Sequence, residues 1–86
     1  MTHAFNYRGV GWRAAVLRQR AGLDQAEAAK LAGITPKTWR NMEDGKPCRY
    51  STIWAAAKAF ECSPLWLKYG TEDRDECVAI MLGGAA

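Results

Sequence analysis

Residues 23–45 read LDQAEAAKLAGITPKTWRNMEDG, and this stretch decides the fold. Asp24, with Glu27 three residues later, forms the pattern of a capping box at the start of a helix, and the next glycine ends that helix. Thr35 caps a second helix, whose first turn accommodates Pro36 because the N–H that proline lacks would be unpaired there. The stretch therefore predicts two short helices joined by a tight turn.

The flanking segments predict three more helices. Ala14, Leu17 and Ala21 recur at helical spacing in a first helix over residues 11–21. Ser51 is the expected cap of a fourth helix, and Ser63 with the proline after it opens a fifth. Short helices with short connections make a compact, five-helix, all-α domain. Three regions result: a lead-in at residues 1–10, the helical domain at 11–70, and a short C-terminal tail, acidic and then apolar, at 71–86.

The amino-acid composition is typical of a folded domain and not of a disordered, disulfide-rich or membrane-spanning chain. The 86 residues are 49% hydrophobic and include four tryptophans, which favours a folded domain. Three scattered cysteines and one histidine argue against a disulfide framework and against a metal site. No apolar run approaches the roughly 20 residues that span a bilayer, and no charged leader opens the chain. We therefore expect a cytoplasmic protein with no membrane partner.

The net charge of +3 is unevenly distributed. Residues 1–60 carry ten Lys/Arg against four Asp/Glu, whereas residues 61–86 carry two against five. A basic body with an acidic end suits a polyanionic partner bound at one face.

The sequence resembles the lambda-repressor-like, Cro/C1-type helix-turn-helix domains, familiar from phage repressors. The matching features are Leu17 to Gln25, Ala29, Gly33 with Ile34 and Thr35, Glu43 to Gly45, and Ser63 with Trp66, Leu67 and Gly70. The resemblance covers about two-thirds of the chain, and it implies a DNA-binding domain whose second motif helix enters the major groove.

The resemblance also implies individual roles. Residues expected to face the bases are Pro36, Lys37, Thr38, Arg40 and Asn41. Residues expected to contact DNA phosphates are Gln25, Lys46 and Arg49. Arg18 and Glu43 match a buried ion pair that ties the first helix to the recognition helix.

Chemistry argued from the residues agrees with these roles. Positions 37, 40, 41 and 44 share one side of a helix. Lys37 and Arg40 can donate to guanine O6 and N7, and Asn41 can pair with adenine. The alternative is that these charges are ordinary solvated side chains.

The opposite side of the recognition helix is expected in the core. The predicted core residues are Leu17, Trp39, Met42, Phe60, Trp66 and Leu67. The family usually has larger aliphatic residues at positions 28 and 32, which are alanine here, and a smaller one at position 39. We infer that the thin second helix leaves room for the Trp39 indole.

Two features suggest an interface. The tail contains an apolar run, CVAIML, and Trp54 lies outside the predicted inward face of the fourth helix. The candidate dimer contacts are Trp54, Val78, Ile80 and Leu82. The alternative is that the lead-in or tail covers these residues within one chain.

The sequence thus predicts a sequence-specific regulator of the Cro/C1 type, from a phage or prophage, that binds a pseudo-palindromic double-stranded DNA operator as a homodimer. The alternatives are a restriction–modification controller, an antitoxin-type DNA-binding protein, or a protein-binding adaptor with the same fold. We expect no enzymatic activity, cofactor, metal or small-molecule ligand, because the sequence shows neither a nucleophile–base pair nor a glycine-rich phosphate loop.

Overall fold

The computed structural model describes residues 7–82, and these form helices connected by short loops with no strand. The helices are α1 (Tyr7–Arg20), α2 (Gln25–Ala32), α3 (Pro36–Glu43), α4 (Tyr50–Ala59), α5 (Pro64–Tyr69) and α6 (Arg74–Met81). Most of the predicted lead-in and the last four residues of the tail lie outside the described residues.

The two helices of residues 23–45 form as the capping signals predict. The Glu27 backbone N–H donates to Asp24 Oδ1 at 2.7 Å, and the Asp24 N–H donates to Glu27 Oε1 at 2.9 Å, which completes the capping box. Gly33 ends α2 with φ of 73°, a left-handed conformation that glycine adopts without strain. The Thr38 N–H donates to Thr35 Oγ1 at 3.1 Å and so caps α3. The turn between α2 and α3 is therefore fixed by local interactions.

The predicted start of the first helix at residue 11 is wrong, because α1 begins at Tyr7. Val10 is fully buried, and Tyr7 packs against the core. Two glycines interrupt this segment and conceal its helical period in the sequence. Burial of the Tyr7 and Val10 side chains compensates for the low helix propensity of those glycines.

The five-helix count is also wrong for residues 7–82, because the tail contributes the sixth helix, α6. The Glu76 N–H donates to Asp73 Oδ1 at 3.1 Å, which caps the helix, and the acidic residues Asp75 and Glu76 occupy its positive first turn. Cys77 is buried against the rest of the domain. The continuous apolar run after Glu76 has no clear period, so the sequence alone did not separate a helix from a strand here.

Trp39 lies at the centre of the core, where it is fully buried. Its ring centroid is 5.6 Å from that of Phe60, in a tilted arrangement that aromatic pairs favour. Ala28 is also fully buried and belongs to the same core cluster as Trp39. Of the other predicted core residues, Met42 and Leu67 are fully buried, whereas Leu17, Phe60 and Trp66 are half-buried and pack against the core.

Arg13 ties α1 to the C-terminus of α5. Its Nε donates to the Leu67 carbonyl at 2.9 Å, and its Nη2 donates to the Lys68 carbonyl at 3.0 Å. These carbonyls are among the acceptors that a helix end leaves unpaired. Burial lowers the pKa of the Arg13 guanidinium from its ordinary value, but arginine still remains charged at neutral pH.

Gly11 lets α1 cross the end of α3 at short range. A Cβ atom at this position would lie 2.6 Å from the carbonyl oxygens of both Met42 and Glu43. These are backbone atoms, so neither can move without displacing α3. The absence of a side chain at Gly11 therefore sets the distance between the two helices.

We expect Gly11→Ala to destabilise the protein by about 1–3 kcal/mol, although alanine is the better helix former, because the added methyl group overpacks this crossing. Chemical denaturation would measure the change in the free energy of unfolding. Gly9→Ala is the matched control, since the three atoms nearest to its Cβ would all belong to the Arg13 guanidinium, at 3.0 to 3.3 Å, and none to the backbone. A Gly11→Ala protein as stable as the wild type would contradict the close crossing.

Candidate nucleic-acid interface

Helix α3 separates into a buried face and an outward face. Trp39 and Met42 are buried, which orients the helix, and Lys37 and Arg40 are exposed. Asn41 is half-buried. This division follows from the helical period, because residues three and four apart lie on the same side. The exposed cations Lys37 and Arg40 therefore lie on a helix whose opposite side is fixed in the core.

A cleft of about 500 Å³ opens between α3 and the start of α4. It is lined by Ile34, Thr35, Thr38, Asn41, Pro47, Cys48, Arg49, Ser51 and Thr52. Arg49 is the one charged residue among these nine, and hydroxyl and amide groups supply most of the other polar atoms. The cleft thus combines a positive charge with neutral hydrogen-bonding groups, which suits an anionic ligand with several oxygen atoms.

The start of α4 borders this cleft and differs from the sequence expectation. The prediction that Ser51 caps this helix is wrong, because α4 begins at Tyr50 and Arg49 is its N-cap residue. The Arg49 carbonyl accepts from the backbone N–H groups of Thr52 and Ile53, at 3.0 and 3.3 Å. No side chain caps α4 within the described residues, whereas α2, α3, α5 and α6 each have a side-chain cap. Within the described residues this leaves the N–H groups of Tyr50 and Ser51 to donate hydrogen bonds to an anion.

Sequence reasoning missed Ser51 and Thr52 as part of this cleft. Thr52 is 8% exposed and lies on the inward face of α4 beside Ile53 and Ala56, which are fully buried. The only signal in the sequence was Thr52, a polar residue in the otherwise apolar inward face of α4. The positions of Ser51 and Thr52 at the cleft depend on how α4 packs, and local spacing does not encode that packing.

The structure brings some of the predicted site residues together. Thr38, Asn41 and Arg49 line the cleft, and Lys46 Nζ lies 3.5 Å from Asn41 Oδ1. Lys46 and Arg49 are both exposed. The neighbouring thiol of Cys48 is half-buried, and this burial raises its pKa above the ordinary value, although Lys68 opposes the effect. The thiol is accordingly neutral at physiological pH rather than an activated thiolate.

Gln25, the first residue of α2, lies away from this cleft and contacts Glu43 instead. Its Nε2 donates to Glu43 Oε1 at 3.2 Å. Arg18 donates to both oxygens of the same carboxylate, from Nε at 2.6 Å and from Nη2 at 3.0 Å, and Trp39 Nε1 also donates to Oε2. Burial by itself raises the pKa of Glu43, but hydrogen bonds from Arg18, Trp39 and Gln25 outweigh it and hold the pKa below its ordinary value. Glu43 is therefore ionised at neutral pH.

A second surface is formed by exposed apolar residues of α4 and α6, which we call the apolar patch. It comprises Tyr50, Trp54, Val78, Met81 and Leu82. The rings of Tyr50 and Trp54 are 5.9 Å apart, and a groove of about 330 Å³ runs between Tyr50 and α6. Of the candidate dimer contacts, Trp54, Val78 and Leu82 are 49%, 46% and 78% exposed, and Ile80 is half-buried. Large apolar side chains exposed side by side are typical of interaction surfaces.

Metal-ligand clusters and membrane-spanning helices are both absent from residues 7–82. No cluster of three or more His, Cys, Asp or Glu side chains has the arrangement of a metal site there. None of the six helices is long and apolar enough to cross a membrane.

Comparison with known proteins assigns the family. A family model described as a helix-turn-helix domain matches residues 10–65, from α1 into α5, and includes α2, α3 and the cleft. A search of curated proteins finds no match. Because the match covers well over half of the chain, the protein belongs to the family of helix-turn-helix domains.

Proposed function

We propose that this protein is a transcriptional regulator that binds double-stranded DNA sequence-specifically, with α3 in the major groove. The supporting observation is the outward face of α3. Burial of Trp39 and Met42 turns Lys37 and Arg40 to the surface, beside a cleft whose only charged wall residue is Arg49. In a helix-turn-helix motif the second helix, here α3, is the element that reads the bases.

Base readout is assigned to the residues of this face. Lys37 and Arg40 donate to guanine O6 and N7, and the Asn41 amide pairs with the edge of adenine. The Thr38 methyl group and the Pro36 ring contact thymine methyl groups. Because the helix is fixed by its buried face, these side chains meet the DNA in a defined register.

Phosphate contacts are assigned to the surroundings of α3. Arg49 and the Tyr50 and Ser51 N–H groups at the start of α4 donate to one backbone phosphate in the cleft, and Lys46 adds a second positive charge. Gln25 contacts a phosphate from the start of α2. These contacts hold α3 in the groove but carry no sequence information themselves.

The regulator is proposed to be a Cro/C1-type repressor of a phage or prophage. The resemblance of residues 14–70 to that group supports this assignment. Repression would follow from occupancy, since a bound protein blocks access of the polymerase to the promoter.

The DNA-bound form is proposed to be a homodimer on a pseudo-palindromic operator. Support comes from the apolar patch, whose aromatic and aliphatic side chains are exposed in the single chain. A two-fold dimer buries the same patch of both copies against each other. Trp54 is the expected centre of the interface, because tryptophan is enriched among residues that dominate interface energies.

The second candidate function is a protein-binding adaptor that retains the fold without binding DNA. The apolar patch supports this alternative as well, because a different protein could cover it. The two functions differ in their need for cations on the outward face of α3, so a direct DNA-binding measurement separates them.

Selection of bound duplexes from a random double-stranded DNA pool, with the purified protein at fixed moderate salt, tests the proposed function. We expect enrichment of a two-fold symmetric site whose half-sites are about ten base pairs apart, because a dimer places two recognition helices one helical turn apart. Weak, salt-sensitive binding without an enriched sequence would instead favour the adaptor.

Variants of the two sets of contacts should behave differently. Arg40→Ala or Asn41→Ala should relax base preference at one position by about 1–3 kcal/mol. Arg49→Ala or Lys46→Ala should weaken binding to all sequences and reduce the salt slope by roughly one unit each. Titrations of cognate and unrelated duplexes at several salt concentrations would measure both quantities.

Lys58→Ala is the matched control for the phosphate contacts, since Lys58 is an exposed lysine at the far end of α4. Its removal should leave the salt slope unchanged. An equal change for Lys58→Ala and Lys46→Ala would remove Lys46 from the phosphate contacts, and unchanged base preference in Arg40→Ala would remove Arg40 from the readout.

Trp54→Gln should weaken dimerisation by on the order of 2 kcal/mol, about thirtyfold in the dimer dissociation constant, if Trp54 is central to the interface. Sedimentation across a concentration series would measure the dissociation constant. Trp12→Gln is the matched control, because Trp12 is a 68% exposed tryptophan of α1 outside the apolar patch. A Trp54→Gln protein that dimerises like the wild type would place the interface elsewhere.

A further inference from the structure

Lys46 lies next to Asn41 because of the way in which α3 ends. The Lys46 backbone N–H donates to the Asn41 carbonyl at 3.1 Å. Just before it, the Gly45 N–H donates to the Met42 carbonyl, also at 3.1 Å, and Gly45 has a left-handed φ of 78°. These two bonds and the left-handed glycine make a Schellman motif, which folds the chain back over the last turn of the helix. The backbone of the helix end therefore holds Lys46 beside Asn41.

The side chains of these two residues are joined as well. Lys46 Nζ donates to Asn41 Oδ1 at 3.5 Å. An ammonium group can only donate, so the amide must direct its oxygen, and not its nitrogen, to Lys46. Lys46 is exposed, whereas Asn41 is half-buried and lines the cleft between α3 and α4. No other side chain among residues 7–82 holds the Asn41 amide, so in this part of the chain Lys46 sets the direction in which the amide faces.

This orientation leaves both amide groups available to a base. A carboxamide oxygen has two lone pairs, and Lys46 uses one of them. The other lone pair can accept from N6 of adenine while the amide nitrogen donates to N7. The bond to Lys46 is thus compatible with adenine readout, and it fixes which end of the amide faces N6.

The same orientation disfavours guanine. Guanine has an acceptor, O6, where adenine has its N6 donor, and N7 is an acceptor in both. An unrestrained asparagine adapts to guanine by turning its amide over, so that the nitrogen donates to O6. In Asn41 that rotation would direct the NH₂ group at the Lys46 ammonium, and the hydrogen bond between the two side chains would be lost. Without the rotation, the Asn41 oxygen meets O6 as acceptor against acceptor.

We propose that Lys46 is a positioning residue for base readout, which holds the Asn41 amide in the orientation that selects adenine over guanine. This role rests on the proposed function, and it adds specificity to a lysine whose charge otherwise serves only the phosphate backbone. The end of α3 thereby connects a residue beyond the recognition helix to the base that the helix reads.

Affinities for duplexes that differ at one base pair test the proposal. The wild-type site is first selected from a random double-stranded DNA pool, and the base pair read by Asn41 is the one whose preference is lost in Asn41→Ala. The ratio of adenine to guanine affinity at this base pair is then measured for Lys46→Met, Lys46→Arg and the double variant of Lys46→Met with Asn41→Ala. Arg49→Ala is the matched control, because it removes a cation of the same cleft that has no hydrogen bond to Asn41.

The variants separate the donor of Lys46 from its fold and charge. Lys46→Met removes the donor but keeps a long side chain, whereas Lys46→Arg keeps both charge and donors. All of them retain the backbone N–H that closes the helix end, and Lys46 is exposed, so the fold should be retained, which circular dichroism checks. Lys46→Ala provides a second variant without a donor.

We expect Lys46→Met to lower the adenine-to-guanine affinity ratio about fivefold, because an amide that is free to turn over recovers one hydrogen bond to guanine. Lys46→Arg should keep most of the preference. In the Asn41→Ala background, Lys46→Met should leave the ratio unchanged, since no amide remains to be oriented. The salt slope reports the charge alone and should fall by roughly one unit in both backgrounds. Arg49→Ala should weaken binding to both duplexes equally.

Several results would overturn the positioning role while the proposed function stands. These are an unchanged ratio in both Lys46→Met and Lys46→Ala, an equal loss of preference in Lys46→Arg and Lys46→Met, and a wild-type preference for guanine at this base pair. An equal effect of Lys46→Met with and without the Asn41 amide would mean that Lys46 reads the base itself. If the wild-type protein enriches no sequence from the pool, the proposed function fails, and the positioning role fails with it.

Discussion

The ion pair of Arg18 with Glu43 is the interaction on which the arrangement of the helix-turn-helix depends. A carboxylate that is largely removed from water is stable only if its lost hydration is replaced. Here the replacement comes from a guanidinium that contacts both oxygens, an indole N–H and an amide N–H. Because these donors belong to α1, α2 and α3, satisfying one buried charge also fixes the relative positions of three helices.

The same region shows how core volume and hydrogen bonding constrain each other. Trp39 and Ala28 are both fully buried in one core cluster, which agrees with a small residue on α2 compensating for the volume of the indole. A tryptophan in the core needs a partner for its N–H, and Glu43 lies one helical turn away to accept it. A leucine of similar depth would fill part of the space but would donate nothing to the carboxylate. The large residue on α3 and the small residues on α2 are therefore consistent with both core packing and the hydrogen bond to Glu43.

Local signals in the sequence were sufficient for the central motif. The capping box at Asp24, the Thr35 cap and the left-handed glycine after α2 act over a few residues, so their spacing alone predicts where α2 and α3 begin and end. The outward and inward faces of α3 follow from the helical period. Sequence reasoning failed where tertiary contacts decide. The N-terminal part of α1 depends on burial of Val10 and on the close approach at Gly11, and neither contact is visible in local spacing.

The cleft could not be predicted from the sequence for a similar reason. It forms only when α4 is packed next to α3. Lys46 and Arg49 were recognisable as loop cations, but the position of Arg49 at the start of an uncapped helix was not. That position has a physical consequence. A cation and helix N–H groups at the same place act on an anion together, whereas a cation in a mobile loop must first be ordered and loses side-chain entropy. The packing of α4 thus places Arg49 in the wall of the cleft beside helix N–H groups, adjacent to a helix whose own orientation is fixed by Trp39 and Glu43.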